Sequence, residues 1–174
     1  MRALSALVLA AVTGFAASLS AAQEAGVVKV SKGAATVQRA GQALPAKPGL
    51  KVLQGDLIVT GTDGAVGVTF TDNSLVSTGP NSVFSVDKYL FDPTTHAGQF
   101  DGTLRKGTLA GISGKMVKAA PESMRIATPS SIMGVRGTEF AVQVENPDGA
   151  TGQTPVILNV QKAAQTPVIL KSQK

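Results

Sequence analysis

The sequence contains no cysteine and only one histidine, His96. No disulfide can support the fold, no thiol can serve as nucleophile or ligand, and one histidine cannot build an ordinary zinc site. Tryptophan is also absent, and aromatic residues make up 4% of the chain. The core must therefore be mainly aliphatic, and few rings could stack on a sugar. We predict no metal site, no cofactor, and an exposed loop position for His96.

Charged residues are scarce, at 16% of the chain, with a net charge of +5. The lysines and arginines are spread along the sequence and form no dense basic block. This pattern is typical of solvated faces and not of a nucleic-acid interface. A weak attraction to anionic polymers of the cell envelope remains open.

The first 22 residues read as a cleaved secretory signal peptide. Met1-Arg2 gives a positive start, residues 3–15 are apolar, and small residues precede a cleavage site before Gln23. The alternative is a membrane anchor, but the apolar run is short for a span of roughly 20 residues. No other segment is hydrophobic enough to span a bilayer, so we expect an exported protein without a transmembrane segment after cleavage.

Short strands separated by turns dominate the rest of the sequence. Residues 26–30 and 34–38 flank Ser31-Lys32-Gly33 and predict an N-terminal β-hairpin, followed by a loop within residues 23–53. Pro45 and Pro48 exclude a central strand in that loop. Further on, Val83–Phe91 is the longest strand candidate, and residues 98–104 and 107–112 form two glycine-flanked pieces.

Turn signals recur about every 8–12 residues, and no sustained helical period is present, which predicts an all-β domain. The first choice of architecture is a solenoid-like roll of short strands, similar to a β-helix or jelly roll. A sandwich is the second choice. Residues 116–119 could be assigned to neither strand nor helix.

The segment from Thr128-Pro129 to Val144 is the most informative. It runs through Val135-Arg136-Gly137-Thr138-Glu139-Phe140 into an alternating strand that should place Phe140 in the core. Arg136 has two interpretations. It is either a structural clamp that pairs with Glu139 or caps carbonyls, or a recognition residue on an exposed rim. The cost of an unpaired buried charge favours the clamp.

After a turn at residues 146–149, a six-residue sequence occurs twice, at residues 153–158 and 165–170. Each copy reads Gln-Thr-Pro-Val-Ile-Leu. Edge strands or a frayed tail are the favoured interpretation, because the prolines blunt a free edge. The alternative is a strand offered to a partner by β-augmentation.

These motifs, together with Asp72-Asn73-Ser74 and the glycines around residues 55–61 and 102–107, resemble the FecR domain over residues 54–145. That is the periplasmic domain of iron-dicitrate-type sensor regulators. The resemblance implies an all-β periplasmic domain that receives a signal from an outer-membrane receptor. The family's cytoplasmic anti-sigma segment and membrane span have no counterpart here, and Asn73 stands where the family usually has glycine.

The resemblance implies a non-catalytic module that senses or binds an envelope protein, such as a receptor or sensor. The alternative is a protein that binds or cleaves cell-wall polysaccharide, for which Asp87 and Asp101 would be the carboxylate pair. Ser85-Val86-Asp87-Lys88 also matches the Ser-x-x-Lys pattern of penicillin-recognising enzymes, but it lies in a strand-like run without companion motifs. We therefore predict no catalytic residue.

Overall fold

The computed structural model describes residues 23–137 and 139–144. The predicted signal peptide, Thr138 and the repeated C-terminal sequence lie outside these ranges. Twelve strands and one short helix are present among the described residues, and this confirms the all-β prediction. The elements are β1 (Glu24–Lys32), β2 (Ala35–Arg39), β3 (Gln42–Pro45), β4 (Lys51–Leu53), β5 (Leu57–Thr60), β6 (Ala65–Phe70), β7 (Leu75–Thr78), β8 (Val83–Phe91), β9 (Gly98–Ile112), α1 (Lys115–Ala119), β10 (Met124–Ala127), β11 (Ile132–Gly134) and β12 (Glu139–Val144).

The strands form one curled sheet in the order β3-β2-β5-β8-β9-β7-β6-β1-β4, to which β10, β11 and β12 are attached through β9 and β10. Half A of the sheet contains β1, β4, β6, β7, β12 and the C-terminal part of β9. Half B contains β2, β3, β5, β8, β10, β11 and the N-terminal part of β9. The sheet is rolled, but its strands pair antiparallel, with β9–β10 the one parallel pair among the described residues, instead of stacking as parallel coils.

β7 and β8 act as one bent strand that runs along β9, and the bend is held by buried hydroxyl groups. Ser82 Oγ donates to the carbonyl of Thr108 over 3.1 Å and accepts the Thr108 N–H over 2.9 Å. Thr60 Oγ1 likewise donates to the carbonyl of Gly79 and accepts the Ser82 N–H. On the β9 side, Gly107 has a φ of +88°, and a Cβ there would lie 2.5 Å from Ser82 Cα. Only glycine fits this corner.

The predicted N-terminal hairpin is wrong, because β1 and β2 do not pair with each other. β1 pairs with β4 and β6 in half A, whereas β2 pairs with β3 and β5 in half B. Gly33, with a φ of +58°, bends the chain from one half to the other without reversing it, and Ala34 N–H is held by Asp63 Oδ1 at 3.1 Å. Residues 23–53 are thus hydrogen-bonded into the same sheet as the strands that follow.

Two further assignments change. The pieces at residues 98–104 and 107–112 are one continuous strand, β9, because Gly107 bends the strand without ending it. The unassigned residues 116–119 fall in α1. Within the described residues, no helix has the length and apolar character needed to cross a membrane.

The core lies between the two sheet halves and is mostly aliphatic, as composition predicts. The few aromatic rings are concentrated at one place in it. Phe70 from half A packs on Tyr89 and Phe100 from half B, with ring centroids 5.3 and 4.6 Å away. Aromatic pairs at these distances contribute beyond the apolar area they bury. This cluster joins the halves beside the β6–β7 turn.

Candidate functional site

The Asp72-Asn73-Ser74 turn joins β6 to β7, and its two outer residues are buried. The Asp72 carboxylate accepts the N–H of Ser74 at 3.0 Å and its hydroxyl at 2.7 Å. Asn73 has a φ of +68°, a left-handed conformation that asparagine tolerates, so its replacement of the usual glycine is compatible with the turn. Asp72 therefore forms hydrogen bonds within its own turn.

Tyr89 connects this turn to the opposite sheet half. Its hydroxyl donates to Asp72 Oδ1 over 3.2 Å, accepts the N–H of Asp72 over 3.0 Å, and lies 2.9 Å from Thr71 Oγ1. Burial is the main cause that raises the pKa of Tyr89 to about 12. The turn also binds the segment before α1, because Ser74 Oγ accepts the N–H of Gly114. The motif is thus a structural junction of three chain segments.

Asp56, between β4 and β5, is a second buried carboxylate. Arg39 at the end of β2 binds it with Nε and Nη2, at 2.8 and 2.7 Å, and also donates to the carbonyl of Lys51. Asp56 further accepts the N–H of Leu53 at 2.8 Å. The fork geometry suits a carboxylate, and the hydrogen bond to Asp56 is the main cause that raises the pKa of Arg39. This pair ties β2 to the segment between β4 and β5.

Thr128 and Pro129 form the loop of the β10–β11 hairpin. Thr128 is buried, its N–H donates to the carbonyl of Ser131 at 2.7 Å, and its hydroxyl accepts the N–H of Ser131 at 3.1 Å. Pro129 is exposed at the tip. Beyond the hairpin Val135 is buried, and its N–H donates to the carbonyl of Met124. These residues close a hairpin and leave its tip open to solvent.

The family assignment follows from comparison with known proteins. A family model described as "FecR protein" matches residues 56–160, more than half of the chain. The chain belongs to the FecR family. Neither the curated proteins nor the solved structures gave a match. The buried FecR motif residues Asp72, Ser74, Thr128 and Val135 all make the fold-supporting contacts described above.

Arg136 is the exposed charge of the FecR signature. Its guanidinium pairs with Glu122, not with Glu139 as the clamp interpretation expects, and the two side chains are 70% and 65% exposed. The reason is topological: the β10–β11 hairpin returns the chain to the segment before β10, whereas Glu139 opens β12 in half A. The following Gly137 has a φ of +122°, and its carbonyl accepts the hydroxyl of Ser113.

Phe140 is less buried than its alternating pattern predicts. Val142 is buried, but Phe140 and Val144 are only half-buried, although all three face the core. Phe140 lies opposite Gly111 of β9, where a Cβ would lie 2.7 Å from the ring. The absence of a side chain at Gly111 therefore makes room for the ring.

The two carboxylates considered for catalysis have separate polar partners on the outer face of β8 and β9. Asp87 accepts the hydroxyls of Ser85 and Thr103, at 2.7 and 2.5 Å. Asp101 accepts the amide of Gln99 at 2.5 Å, and its Oδ1 is buried without a partner among the described residues. Ser85 thus bonds a carboxylate on its own strand. In the described part of the chain, no three His, Cys, Asp or Glu side chains group to hold a metal ion.

His96 is half-buried, more enclosed than the exposed position predicted for it. Its ring stacks on Phe91 across the β8–β9 turn, with centroids 6.2 Å apart and planes 4° from parallel. Asp92 begins this turn and accepts the N–H of Thr94 at 2.8 Å. These contacts make His96 part of a turn.

Sequence reasoning missed Arg39, Glu122, Tyr89 and the exposed Ile132. Arg39 and Asp56 are 17 residues apart, and Tyr89 and Asp72 are also 17 apart, so no local spacing marks either contact. The one available signal is the single tyrosine in a strand rich in apolar residues, since a buried tyrosine hydroxyl needs a polar partner.

Proposed function

We propose that this FecR-family protein is a non-catalytic interaction or sensing module in envelope signalling, located in the periplasm after removal of its signal peptide. FecR is a family of regulatory sensor domains, and this supports the signalling role. The buried signature residues contribute to the fold, so recognition falls to the exposed residues of the same segment. The partner class is an envelope protein such as a receptor or sensor.

Ile132 is the observation that carries this proposal. It is 75% exposed, more than any other large hydrophobic side chain among the described residues. It lies on β11, in the same hairpin as the exposed Pro129. Gly134, on the same face of β11, would bring a Cβ to 3.9 Å from Oε2 of Glu122, the partner of Arg136. We call these four side chains the hairpin surface. An apolar anchor beside an arginine at a polar rim is the usual composition of a protein-binding site.

The test begins with a photo-reactive amino acid at Ser130, which identifies the protein in contact with the hairpin surface in living cells. Binding of that purified partner is then measured by calorimetry. Ile132→Asp should weaken binding by roughly 30-fold, about 2 kcal/mol. Val30→Asp is the matched control, because Val30 is 51% exposed but lies on β1 in half A. Equal effects of the two substitutions would reject the hairpin surface.

Location in the periplasm is tested separately. N-terminal sequencing of the protein from a periplasmic fraction should begin at Gln23. Recovery of an intact, membrane-bound form that starts at Met1 would contradict the export proposal.

The second candidate function is binding or cleavage of envelope polysaccharide. The observation in its favour is the row of polar side chains on β8 and β9, in which the exposed carboxylate of Asp87 offers an acceptor to a sugar hydroxyl. Co-sedimentation with insoluble peptidoglycan, and assays of glycoside, ester and β-lactam turnover, distinguish the two functions. Binding or turnover lost in Asp101→Asn or Asp87→Asn would favour the polysaccharide function.

A further inference from the structure

β12 differs from the other edge strands of the sheet. Within the described residues β3, β4, β11 and β12 each have a single hydrogen-bonded neighbour. β3 and β4 are short and contain Pro45 and Lys51, and β11 has only three residues and ends at Gly134. Proline, lysine and short length all discourage pairing with another strand. β12 has six residues and contains no proline, lysine or arginine.

The side chains of β12 leave apolar surface at this edge. Phe140 and Val144 face the core but remain half-buried, whereas Val142 between them is buried. On the outer face Ala141 and Gln143 are uncharged. A further strand beside β12 would satisfy the outward main-chain groups and also cover Phe140 and Val144.

We propose that β12 pairs antiparallel with β12 of a second copy of this chain, about a two-fold axis at Ala141. Opposite residues in an antiparallel pair share a face, so this register sets Phe140 opposite Val142 of the second copy. On the outer face it sets Glu139 opposite Gln143, which can donate a hydrogen bond to the carboxylate. The strand is therefore complementary to itself.

The charge of Glu139 selects this register over its neighbour. A pair centred on Val142 also matches apolar with apolar, but the sequence would then set Glu139 opposite Glu145. Like charges directly opposite each other destabilise a strand pair. The register at Ala141 avoids this contact and joins half A of the two copies into one continuous sheet. The inference is independent of the hairpin surface, which lies in half B.

Cross-linking tests the register directly, because the chain has no native cysteine. In the full-length exported protein, Ala141→Cys places two thiols opposite each other across the axis, at Cα separations of about 4.5–5.5 Å that suit a disulfide. Mild oxidation should convert most of this variant to a linked dimer. Gln143→Cys is the matched control on the same strand and face, and it should link at least tenfold less. Equal linking of the two variants would overturn the proposal.

Sedimentation over a range of concentrations tests the pairing without cross-linking. The wild-type chain should show a concentration-dependent shift to twice the monomer mass. Ala141→Lys sets two like charges together at the axis and should abolish the shift, whereas Gln143→Lys faces Glu139 and should retain it. Circular dichroism confirms that both variants fold. A wild-type chain that stays monomeric overturns the proposal, whether β12 is then bare or covered by residues 145–174.

Discussion

Tyr89→Phe is the sharpest test of how the two sheet halves are joined. The substitution keeps the ring that packs on Phe70 and Phe100 and removes only the hydroxyl. That hydroxyl is buried and contacts the N–H and carboxylate of Asp72 and the hydroxyl of Thr71. The change therefore isolates the polar contact between β8 and the β6–β7 turn.

The expected loss of unfolding free energy follows from the main-chain group that the substitution leaves without a hydrogen-bond partner. The buried N–H of Asp72 loses its acceptor, and removing one partner of a buried pair costs about 1–3 kcal/mol. The Asp72 carboxylate keeps both hydrogen bonds from Ser74, so we expect the free energy of unfolding to fall by about 2 kcal/mol, the middle of that range. For a domain of this size each kcal/mol lowers the melting temperature by roughly 4 °C, so the shift should be about 8 °C. Urea unfolding and thermal melts measure both values.

The same contact predicts a dependence on alkaline pH. The pKa of Tyr89 is raised to about 12 in the folded chain, against about 10 in an unfolded one. The neutral hydroxyl is the form that the fold favours. Its contribution to stability is therefore complete below about pH 10 and is lost as pH rises towards 12. Wild type and Tyr89→Phe should converge in unfolding free energy over this window.

The controls make this prediction decisive. All other ionisable groups are the same in the two proteins, so the difference between their stabilities reports Tyr89 alone. Thr71→Val removes an exposed partner and should change stability by less than about 0.5 kcal/mol. Tyr89 is the only tyrosine and the chain has no tryptophan, so tyrosinate absorbance reads this one group. A stability difference below about 0.5 kcal/mol for Tyr89→Phe would refute the junction.

Four further substitutions test other parts of the fold by urea unfolding. Asp56→Ala should lower the free energy of unfolding by about 3 kcal/mol, the low end for a broken buried ion pair. The low end applies because Arg39 is 30% exposed and can be solvated by water. A loss below about 1 kcal/mol would contradict a stabilising role for the pair. Phe140→Ala should cost about 2 kcal/mol, less than a fully buried phenylalanine, and an unchanged midpoint would show that the ring is not packed. Gly137→Ala should lower the free energy of unfolding by about 1–2 kcal/mol, because alanine is strained at a φ of +122°. A Cβ at this position would contact nothing within 4 Å, so backbone strain is the only cause expected. An unchanged free energy of unfolding would show that the strain is absent. Arg136→Ala should change stability by less than about 0.5 kcal/mol, and a large loss would restore the clamp interpretation.

The local sequence pattern was enough to predict the strand bounds, turns and fold class that depend on residues close together in the chain. The turn residues at 79–82 and Asp92-Pro93 flank the apolar run of residues 83–91, and this correctly predicted the bounds of β8, Val83–Phe91. The Asp72-Asn73-Ser74 turn was predictable because its main hydrogen bonds join residues two apart. The absence of a sustained helical period gave the all-β class.

The local sequence pattern gave wrong strand connections where the chain bends from one sheet half to the other. Ser31-Lys32-Gly33 has the composition of a hairpin turn, but a bend at a sheet corner needs the same residues: a glycine with positive φ and a short polar stretch. What decides between them is the pairing of the flanking strands with β5 and β6, which begin more than 15 residues later. The same ambiguity divided β9 at Gly107, where a glycine that bends the strand resembles one that ends it.

The two arginines show why ion pairs resist sequence reasoning. Arg136 has Glu139 three residues away, and proximity in sequence favours that pair, yet the hairpin brings Glu122 to it. No motif in the sequence marks Arg39, yet it binds the buried Asp56 through two hydrogen bonds. The burial of each ion pair determines how much it contributes to the stability of the fold. The Asp56 carboxylate is 1% exposed and would be costly to leave unpaired, so Arg39 is required by the fold. Arg136 and Glu122 are both in water, where their pairing contributes little to stability. A signature arginine that the fold does not need is free to be selected for recognition, and this is the physical reason to test the hairpin surface before any other face of the domain.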